Sequence, residues 1–165
     1  MLFRSKRESE KILDMISPKK AREITELMRH ESDSAGGLMT KEFIALRENM
    51  TVGEAIDHIR HVEIKKAETI YSAYVVDDEG KLIGSVSFRR LLLEPMECKI
   101  CDVMLAKPPA INVEDPVRDV AFEMDKYNLS TIPAVNEKGV LEGIITFDDV
   151  LHVAAEQAWG KRGGA

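Results

Sequence analysis

Gly139-Val-Leu-Glu-Gly-Ile-Ile-Thr-Phe-Asp-Asp-Val-Leu151 repeats the pattern of a stretch 59 residues earlier, Gly80-Lys-Leu-Ile-Gly-Ser-Val-Ser-Phe-Arg-Arg-Leu-Leu92. Both copies have glycine at positions one and five, a hydroxyl residue at position eight and Phe at position nine. A second pairing, offset by 65 residues, aligns Met39 with Met104. The chain therefore contains one unit twice. We expect the copies to pack together, because a unit of this size usually cannot bury its own apolar face.

The composition is typical of a soluble globular protein with one compact domain or two small lobes. The 165 residues are 44% hydrophobic and 32% charged, which allows a substantial core. A net charge of −6 and only 5% aromatic residues argue against nucleic-acid binding and favour cations as electrostatic partners. The sequence contains neither a signal-peptide core nor an apolar run near the ~20 residues that cross a bilayer. We therefore expect a cytoplasmic chain without a membrane span.

Each copy is predicted to fold as β-α-β-β-α, with a crossover helix between parallel strands and then a hairpin. The predicted elements of the first copy are strands 43–46, 71–76 and 82–87, a helix opened by a capping box of Thr51 and Glu54, and helix 88–93. Those of the second copy are strands 110–113, 132–135 and 141–146, a helix capped by Asp115 ahead of Pro116, and helix 148–158. The fold class is α/β (α+β).

Four segments follow from this pattern. Residues 1–34 form a helical segment, residues 35–94 the first unit, residues 95–159 the second unit, and residues 160–165 a flexible tail. Within the first segment, the apolar spacing predicts two short helices over residues 5–31.

Two such units carrying Gly-x-x-x-Gly-x-x-Thr/Ser-x-x-Asp resemble a pair of CBS domains, a regulatory module that binds adenine nucleotides between its halves. Further motifs resemble the cytosolic part of the MgtE magnesium channel family: Asp33-Ser-Ala-Gly-Gly-Leu-Met-Thr40, Ala67-Glu-Thr-Ile-Tyr71, Tyr74-Val-Val-Asp77 and Asp148-Asp-Val-Leu151. In that family a helical N domain precedes the CBS pair and a transmembrane domain follows it. Residues 1–34 would match the end of the N domain. The resemblance also implies a homodimer.

The resemblance implies a site for ATP or another adenine nucleotide in the second copy. There the Thr146 hydroxyl would lie near phosphate and the Asp149 carboxylate would bind the ribose hydroxyls. The other implied contacts, including strand ends that would hold the adenine, are Ala110, Ile111, Thr131, Ile132, Pro133, Tyr71 and Arg89. Thr146 and Asp149 equally fit a helix cap, and the two roles are compatible.

The first copy departs from this pattern, since Ser87 is followed by Arg90 where the ribose carboxylate belongs. We therefore expect this half not to bind ribose. Arg89 and Arg90 either donate to phosphate oxygens or form a solvated helix face.

Magnesium sensing requires carboxylates whose mutual repulsion a hard cation relieves. The candidates are Asp119, Glu123, Asp148, Asp149 and Glu156. Ordinary surface solvation is the alternative interpretation of these acids. Asn128, His152 and Gln157 stand where the family carries several of its sensing acids, so the resemblance implies weakened or lost cation sensing at that face.

Two further motifs are weaker. Cys98 and Cys101 have the spacing of half a zinc site or a redox pair, but no second pair accompanies them. His58 and His61 lie one turn after Glu54 and Asp57, which surface pairing along a helix explains more simply than a metal site.

No catalytic constellation is apparent, so we do not expect an enzyme. The leading hypothesis is a regulatory region of an MgtE-like transporter that senses Mg²⁺, an adenine nucleotide or both through a conformational change of a dimer. Its partner would be a transmembrane transport domain of the same or another chain, which would place it at the cytoplasmic face of the membrane. The alternatives are a stand-alone adenine-nucleotide regulator of another protein and a dimerisation module that binds nothing.

Overall fold

A computed structural model describes residues 33–62 and 71–160, the last five by their backbone alone. The two helices predicted within residues 5–31, most of the predicted tail and the Glu156 side chain lie outside this description. The helices are α1 (Ala35–Leu38), α2 (Val52–His61), α3 (Phe88–Leu93), α4 (Ile100–Val103), α5 (Val117–Lys126) and α6 (Phe147–Gly160). The strands are β1 (Ala45–Arg47), β2 (Ser72–Val76), β3 (Leu82–Ser87), β4 (Leu105–Ala106), β5 (Ile111–Asn112), β6 (Thr131–Val135) and β7 (Leu141–Thr146).

The strands form two sheets, with orders β1-β2-β3-β4 and β5-β6-β7. In each sheet the first two strands are parallel and flank a crossover helix, and the next pair is an antiparallel hairpin. Leu46 pairs with Val75 in one sheet, and Ile111 pairs with Ala134 in the other. These pairs are related by the two sequence offsets, 65 and 59. The predicted repeat and the mixed α/β class are confirmed.

The two hairpin turns join the units to each other. Lys81 bridges Val140, and backbone hydrogen bonds connect Leu82 N to Gly139 O at 3.0 Å and Leu141 N to Gly80 O at 3.1 Å. Both turn glycines have positive φ, 80° and 78°, in the region that residues with a Cβ rarely adopt. The shared glycines of the repeat therefore serve a turn that also pairs with its own copy.

The crossover helices begin differently. On α2 the capping box is confirmed: Glu54 N donates to Thr51 Oγ1 at 3.1 Å and Thr51 N donates to Glu54 Oε2 at 2.7 Å. The hydrogen bond from the Thr51 backbone lowers the pKa of the Glu54 carboxyl. On α5 the predicted cap is wrong, because the N-cap is Pro116 and the Asp115 carboxylate accepts from Asn112 N at 2.8 Å. Asp115 closes the turn before the helix instead.

Each unit receives a segment that precedes the other unit. The α1 segment packs into the second core: Ala35 N donates to Asp115 O, and Thr40 exchanges two backbone hydrogen bonds with Ile144 of β7. The α4 segment packs into the first core, where Ile100 N donates to Met50 O and β4 pairs with β3. The sequence analysis missed α1, α4 and β4, which are only two to four residues long.

Two glycines make room for these exchanged segments. A Cβ built on Gly143 would lie 2.8 Å from the Met39 sulfur and 2.8 Å from the Thr40 carbonyl oxygen. A Cβ on Gly84 would lie 2.3 Å from the Met104 sulfur. The conserved pattern within the repeat, glycine on the third strand and methionine on the incoming segment, thus records one contact made twice.

We predict that Gly143→Ala destabilises the fold by about 1–3 kcal/mol, the usual cost of overpacking a core. The Met39 side chain can move, but the Thr40 carbonyl is held in its ladder with Ile144. Urea unfolding followed by circular dichroism measures the effect. Gly53→Ala is the matched control, since its Cβ would meet Met96 atoms only at 3.5 Å or more and alanine favours a helix. Equal stability of Gly143→Ala and wild type would contradict the described packing of Met39.

Candidate functional site

Two cavities lie where the second unit faces the first. The larger, ≈ 560 Å³, is lined by Tyr71, Met124, Asp125, Asn128, Leu129, Ser130, Thr131, Thr146, Phe147 and Asp148. The smaller, ≈ 170 Å³, is lined by Ser72, Tyr74, Ser85, Leu105, Pro108, Pro109, Asn128, Leu129, Ser130, Thr131 and Pro133. Both share residues 128–131, the segment that leads into β6. The smaller cavity has three prolines and a leucine in its wall, whereas hydroxyl, amide and carboxylate groups predominate among the polar groups of the larger.

Backbone contacts hold the shared segment in place. Asn128 has φ 51°, a left-handed conformation that asparagine tolerates better than most residues, and it ends α5. Leu129 N donates to Met124 O at 2.9 Å, and Phe147 N donates to Ser130 O at 2.9 Å. The start of β6 is therefore tied both to the end of α5 and to the start of α6.

Thr146 and Asp149 form a closed pair at the start of α6. The Thr146 hydroxyl donates to Asp149 Oδ2 at 2.8 Å, and Asp149 N donates to Thr146 Oγ1 at 3.3 Å. Thr146 is 5% exposed and Asp149 is half-buried. The helix-cap interpretation therefore holds, and the hydroxyl proton of Thr146 is directed at Asp149. The second carboxylate oxygen of Asp149 has no printed partner and could accept from a ribose hydroxyl.

The structure distributes the residues predicted for the nucleotide over three environments. Tyr71, Thr131 and Thr146 line the larger cavity, and Thr131 and Pro133 line the smaller one. Ile111 and Ile132 are buried core side chains that could offer a ligand only their backbone. Outside the lining of these two cavities lie Ala110, Arg89 and Asp149, the first two exposed.

Sequence reasoning missed several lining residues, among them Pro108, Pro109 and Asn128. The Pro-Pro dipeptide before β5 was an available signal, since it fixes an extended, flat apolar surface at the end of a strand. Asn128 was noted only as a missing acid, although asparagine after a helix is a common helix-ending residue.

The equivalent position in the first unit is filled. By the two offsets, Phe43 and Tyr74 correspond to Pro108 and Pro133. Tyr74 and Phe43 belong to the apolar cluster between the sheets, where Tyr74 packs with Val76, Leu141 and Ile144. Tyr74 Oη lies 3.1 Å from Thr131 Oγ1, so its hydroxyl reaches the smaller cavity of the second unit.

The helix that follows this filled half also differs. Ser87 caps α3 as Thr146 caps α6, accepting from Arg90 N at 3.1 Å. Arg90 Nε lies 2.6 Å from Glu94 Oε1, which directs the guanidinium along its own helix. Of the two arginines considered as phosphate ligands, the structure thus pairs Arg90 internally and leaves Arg89 exposed on the surface.

The predicted metal ligands are dispersed. Within residues 33–62 and 71–160, no group of three or more His, Cys, Asp or Glu residues could hold a metal ion. Asp148 lines the larger cavity, whereas Asp119 is exposed and lies 3.5 Å from Arg118 Nε. Glu123 lies two turns before the end of the same cavity wall and contributes to the raised pKa of Lys126, which owes more to Tyr127.

The cysteine and histidine motifs gain no further ligands within the described part of the chain. Cys98 is half-buried beside the first core, Cys101 is exposed, and both are free thiols. His61 Nδ1 lies 2.6 Å from Asp57 O, a contact within its own helix.

Comparison with known proteins places this architecture in a family. The CBS domain family matches residues 35–97 and 100–156. The chain therefore belongs to the CBS domain family and carries a pair of CBS domains, as the sequence motifs indicated. Among the helices that the structure describes, none has the length and apolar character to cross a membrane.

Within that family, the chain is similar to magnesium transporters. It is 38% identical over 149 residues to the magnesium transporter MgtE of Thermus thermophilus, covering 90% of this chain and 33% of the relative. The chain spans about a third of the length of the curated relatives it matches. It superposes with a TM-score of 0.84 and 39% identity on the cytosolic domain of the Mg²⁺ channel MgtE crystallised in complex with ATP, covering 87% of this chain and 58% of that one. With the soluble part of a magnesium transporter the TM-score is 0.87 at 34% identity, covering 93% and 60%.

We predict that Tyr74 makes stability fall at alkaline pH. Burial raises the pKa of Tyr74 above its ordinary value of about 10, and the hydrogen bond with Thr131 offsets part of this rise. The neutral phenol therefore stabilises the fold fully below about pH 10, and this contribution is lost as the pH rises through the folded pKa. Tyr74→Phe should cost about 1 kcal/mol at pH 8 and lose less stability than wild type above pH 10.

Denaturant unfolding at pH 8 and at alkaline pH tests this difference. Tyr127→Phe is the control, because the Tyr127 ring is 47% exposed. If Tyr74→Phe and wild type lose stability in parallel, the buried phenol does not control the alkaline transition.

Proposed function

We propose that the chain is the regulatory CBS-pair region of a magnesium transporter of the MgtE family, and that it senses Mg²⁺, an adenine nucleotide or both. The observation that carries the proposal is the similarity to MgtE over 90% of the chain, including both CBS domains. The partner would be a transmembrane transport domain of the same or another chain. The region would then act at the cytoplasmic face of the membrane. We assign it no catalytic role.

The nucleotide would occupy both cavities across Thr131, which lines each of them. The apolar walls formed by Pro108, Pro109 and Pro133 suit the flat base, and the larger cavity suits the sugar and its 5′ substituent. Asp149 would accept from the ribose hydroxyls with its second oxygen, because Thr146 already orients the first. The structure of a relative in complex with ATP supports an adenine ligand.

Mg²⁺ would act between surfaces rather than in a cage within one chain. Mg²⁺ keeps several waters and needs only one or two carboxylates from any one surface, so the dispersed acids Asp119, Glu123, Asp148, Asp149 and Glu156 suffice when a second surface approaches. Occupancy would stabilise the closed arrangement and withdrawal would release it. This shift requires that Mg²⁺ bind the closed state more tightly than the open one.

A second copy of the chain is the proposed approaching surface, as a homodimer. The equivalent helices α3 and α6 expose apolar side chains, with Leu92 at 76%, Leu93 at 68% and Leu151 at 51% exposure. Large apolar side chains exposed at matching positions of the two repeats support an interface there. Such a dimer would let both CBS pairs move together with the transport domain.

We predict that 10 mM Mg²⁺ at constant ionic strength raises the melting temperature by about 3–4 °C, if the site has a Kd of about 1 mM and thus stabilises by about 1.4 kcal/mol. Neutralising Asp148, Asp149 and Glu156 together should abolish the shift. Neutralising three acids of the hairpin turns, Asp78, Glu79 and Glu137, changes the net charge equally and should leave the shift intact. Absence of any Mg²⁺ shift in the wild type would contradict Mg²⁺ sensing.

For the nucleotide, we predict that Asp149→Ala weakens binding of AMP, ADP or ATP at least tenfold, the effect of removing a buried hydrogen-bonded carboxylate. Isothermal titration calorimetry measures this loss, and unfolding of the variant checks that the α6 cap survives. Asp119→Ala, on the exposed face of α5, is the control. Nucleotide binding without a Mg²⁺ response would favour the stand-alone nucleotide regulator, and neither response would favour the dimerisation module.

A further inference from the structure

The charges that line the two cavities are all negative. Asp125 and Asp148 both line the larger cavity, whereas no lysine or arginine is among the described residues that line either one. A triphosphate placed in the larger cavity would therefore meet two carboxylates and no lining cation. Like charges within a few ångströms, in surroundings less polar than water, repel by about 1 kcal/mol or more.

The nearest basic side chains in the fold are engaged elsewhere or lie outside the lining. Lys126 adjoins Asp125 in sequence, but its ammonium lies over the Tyr127 ring, 4.8 Å from the centroid. Arg90 is paired with Glu94 at 2.6 Å, and Arg89 is exposed beyond the cavity wall. The described lining thus offers no guanidinium or ammonium group to neutralise phosphate.

The hydroxyl groups of the site are also poorly arranged for an anion. The Thr146 hydroxyl donates its proton to Asp149 and has none left for a phosphate oxygen. The Thr131 hydroxyl is shared with Tyr74 Oη at 3.1 Å. The positive end of α6 already has Asp148 and Asp149 in its first turn, and these carboxylates offset the helix dipole that would otherwise attract an anion.

We propose that the site selects its ligand by charge, binding adenine nucleosides whose 5′ substituent is neutral or positively charged in preference to ATP. Asp125 and Asp148 are its specificity-determining residues. This inference rests on the adenine site of the proposed function and specifies which adenine compound that site takes. Asp149 and Thr146 would read the ribose, whereas the two lining carboxylates would read the group at the 5′ position.

A ladder of ligands that differ only at the 5′ position tests the proposal. Calorimetry on the 165-residue chain, with chelator present to remove divalent cations, compares 5′-amino-5′-deoxyadenosine, adenosine, AMP and ATP. Affinity should fall along this series, with ATP at least tenfold weaker than adenosine. Asp125→Asn with Asp148→Asn should bring ATP to within about threefold of adenosine while leaving adenosine binding unchanged.

Salt dependence gives a second readout that a structural effect of the substitutions would not change. Raising the salt concentration screens repulsion, so ATP binding should strengthen with salt in the wild type and lose this dependence in the double variant. Asp119→Asn, which removes a carboxylate outside the lining, should alter neither series.

The outcomes separate the two proposals. ATP binding as tight as adenosine binding, or ATP binding that weakens with salt, would overturn charge selection and leave the adenine site standing. If none of the four compounds binds, the adenine site itself fails and the inference fails with it.

Discussion

The packing of a methionine from one repeat onto a glycine of the other is the contact on which the rest of the structure depends. Met39 covers Gly143 and Met104 covers Gly84, each at a distance that leaves no space for a Cβ. Because the two segments cross reciprocally, neither core is complete without chain that belongs, by sequence, to its sibling. This exchange explains why the unit occurs as a pair: one copy alone would lack a layer of its core and would expose the edge of its third strand.

The sequence was sufficient to predict the features that arise within one unit. The offsets of 59 and 65 predicted the register of both sheets, and the bounds of β3, β7 and α3 agree with the structure to the residue. These elements have strong local signals, namely alternation, a turn glycine and a capping hydroxyl. The exchanged elements were missed because β4 and α4 have two and four residues, too few for any periodicity, and because their stability comes from contacts with a distant part of the chain.

The site was predictable only where it coincides with the repeated motif. Thr146 and Thr131 were found because they occupy motif positions, whereas Asn128, Pro108 and Tyr74 line the cavities from places the motif does not cover. Tyr74 illustrates the limit most clearly. From the sequence it is one aromatic residue of a strand, and only tertiary packing shows that it fills the first half of the cleft while its hydroxyl reaches Thr131 of the second half.

This asymmetry determines how a ligand could influence the rest of the chain. The cavity walls come from β6, the end of β7, the start of α6 and the end of α5, all in the second unit. The same β7 pairs with Thr40, and the loop before α5 accepts hydrogen bonds from Ala35 and Gly36. A ligand that tightens α5 and β7 therefore acts directly on the segment through which all preceding residues enter the CBS pair. The first unit is reached only through the hairpin pairing and the Tyr74–Thr131 contact, so the stronger coupling runs from the cavity towards the N-terminal side of the chain.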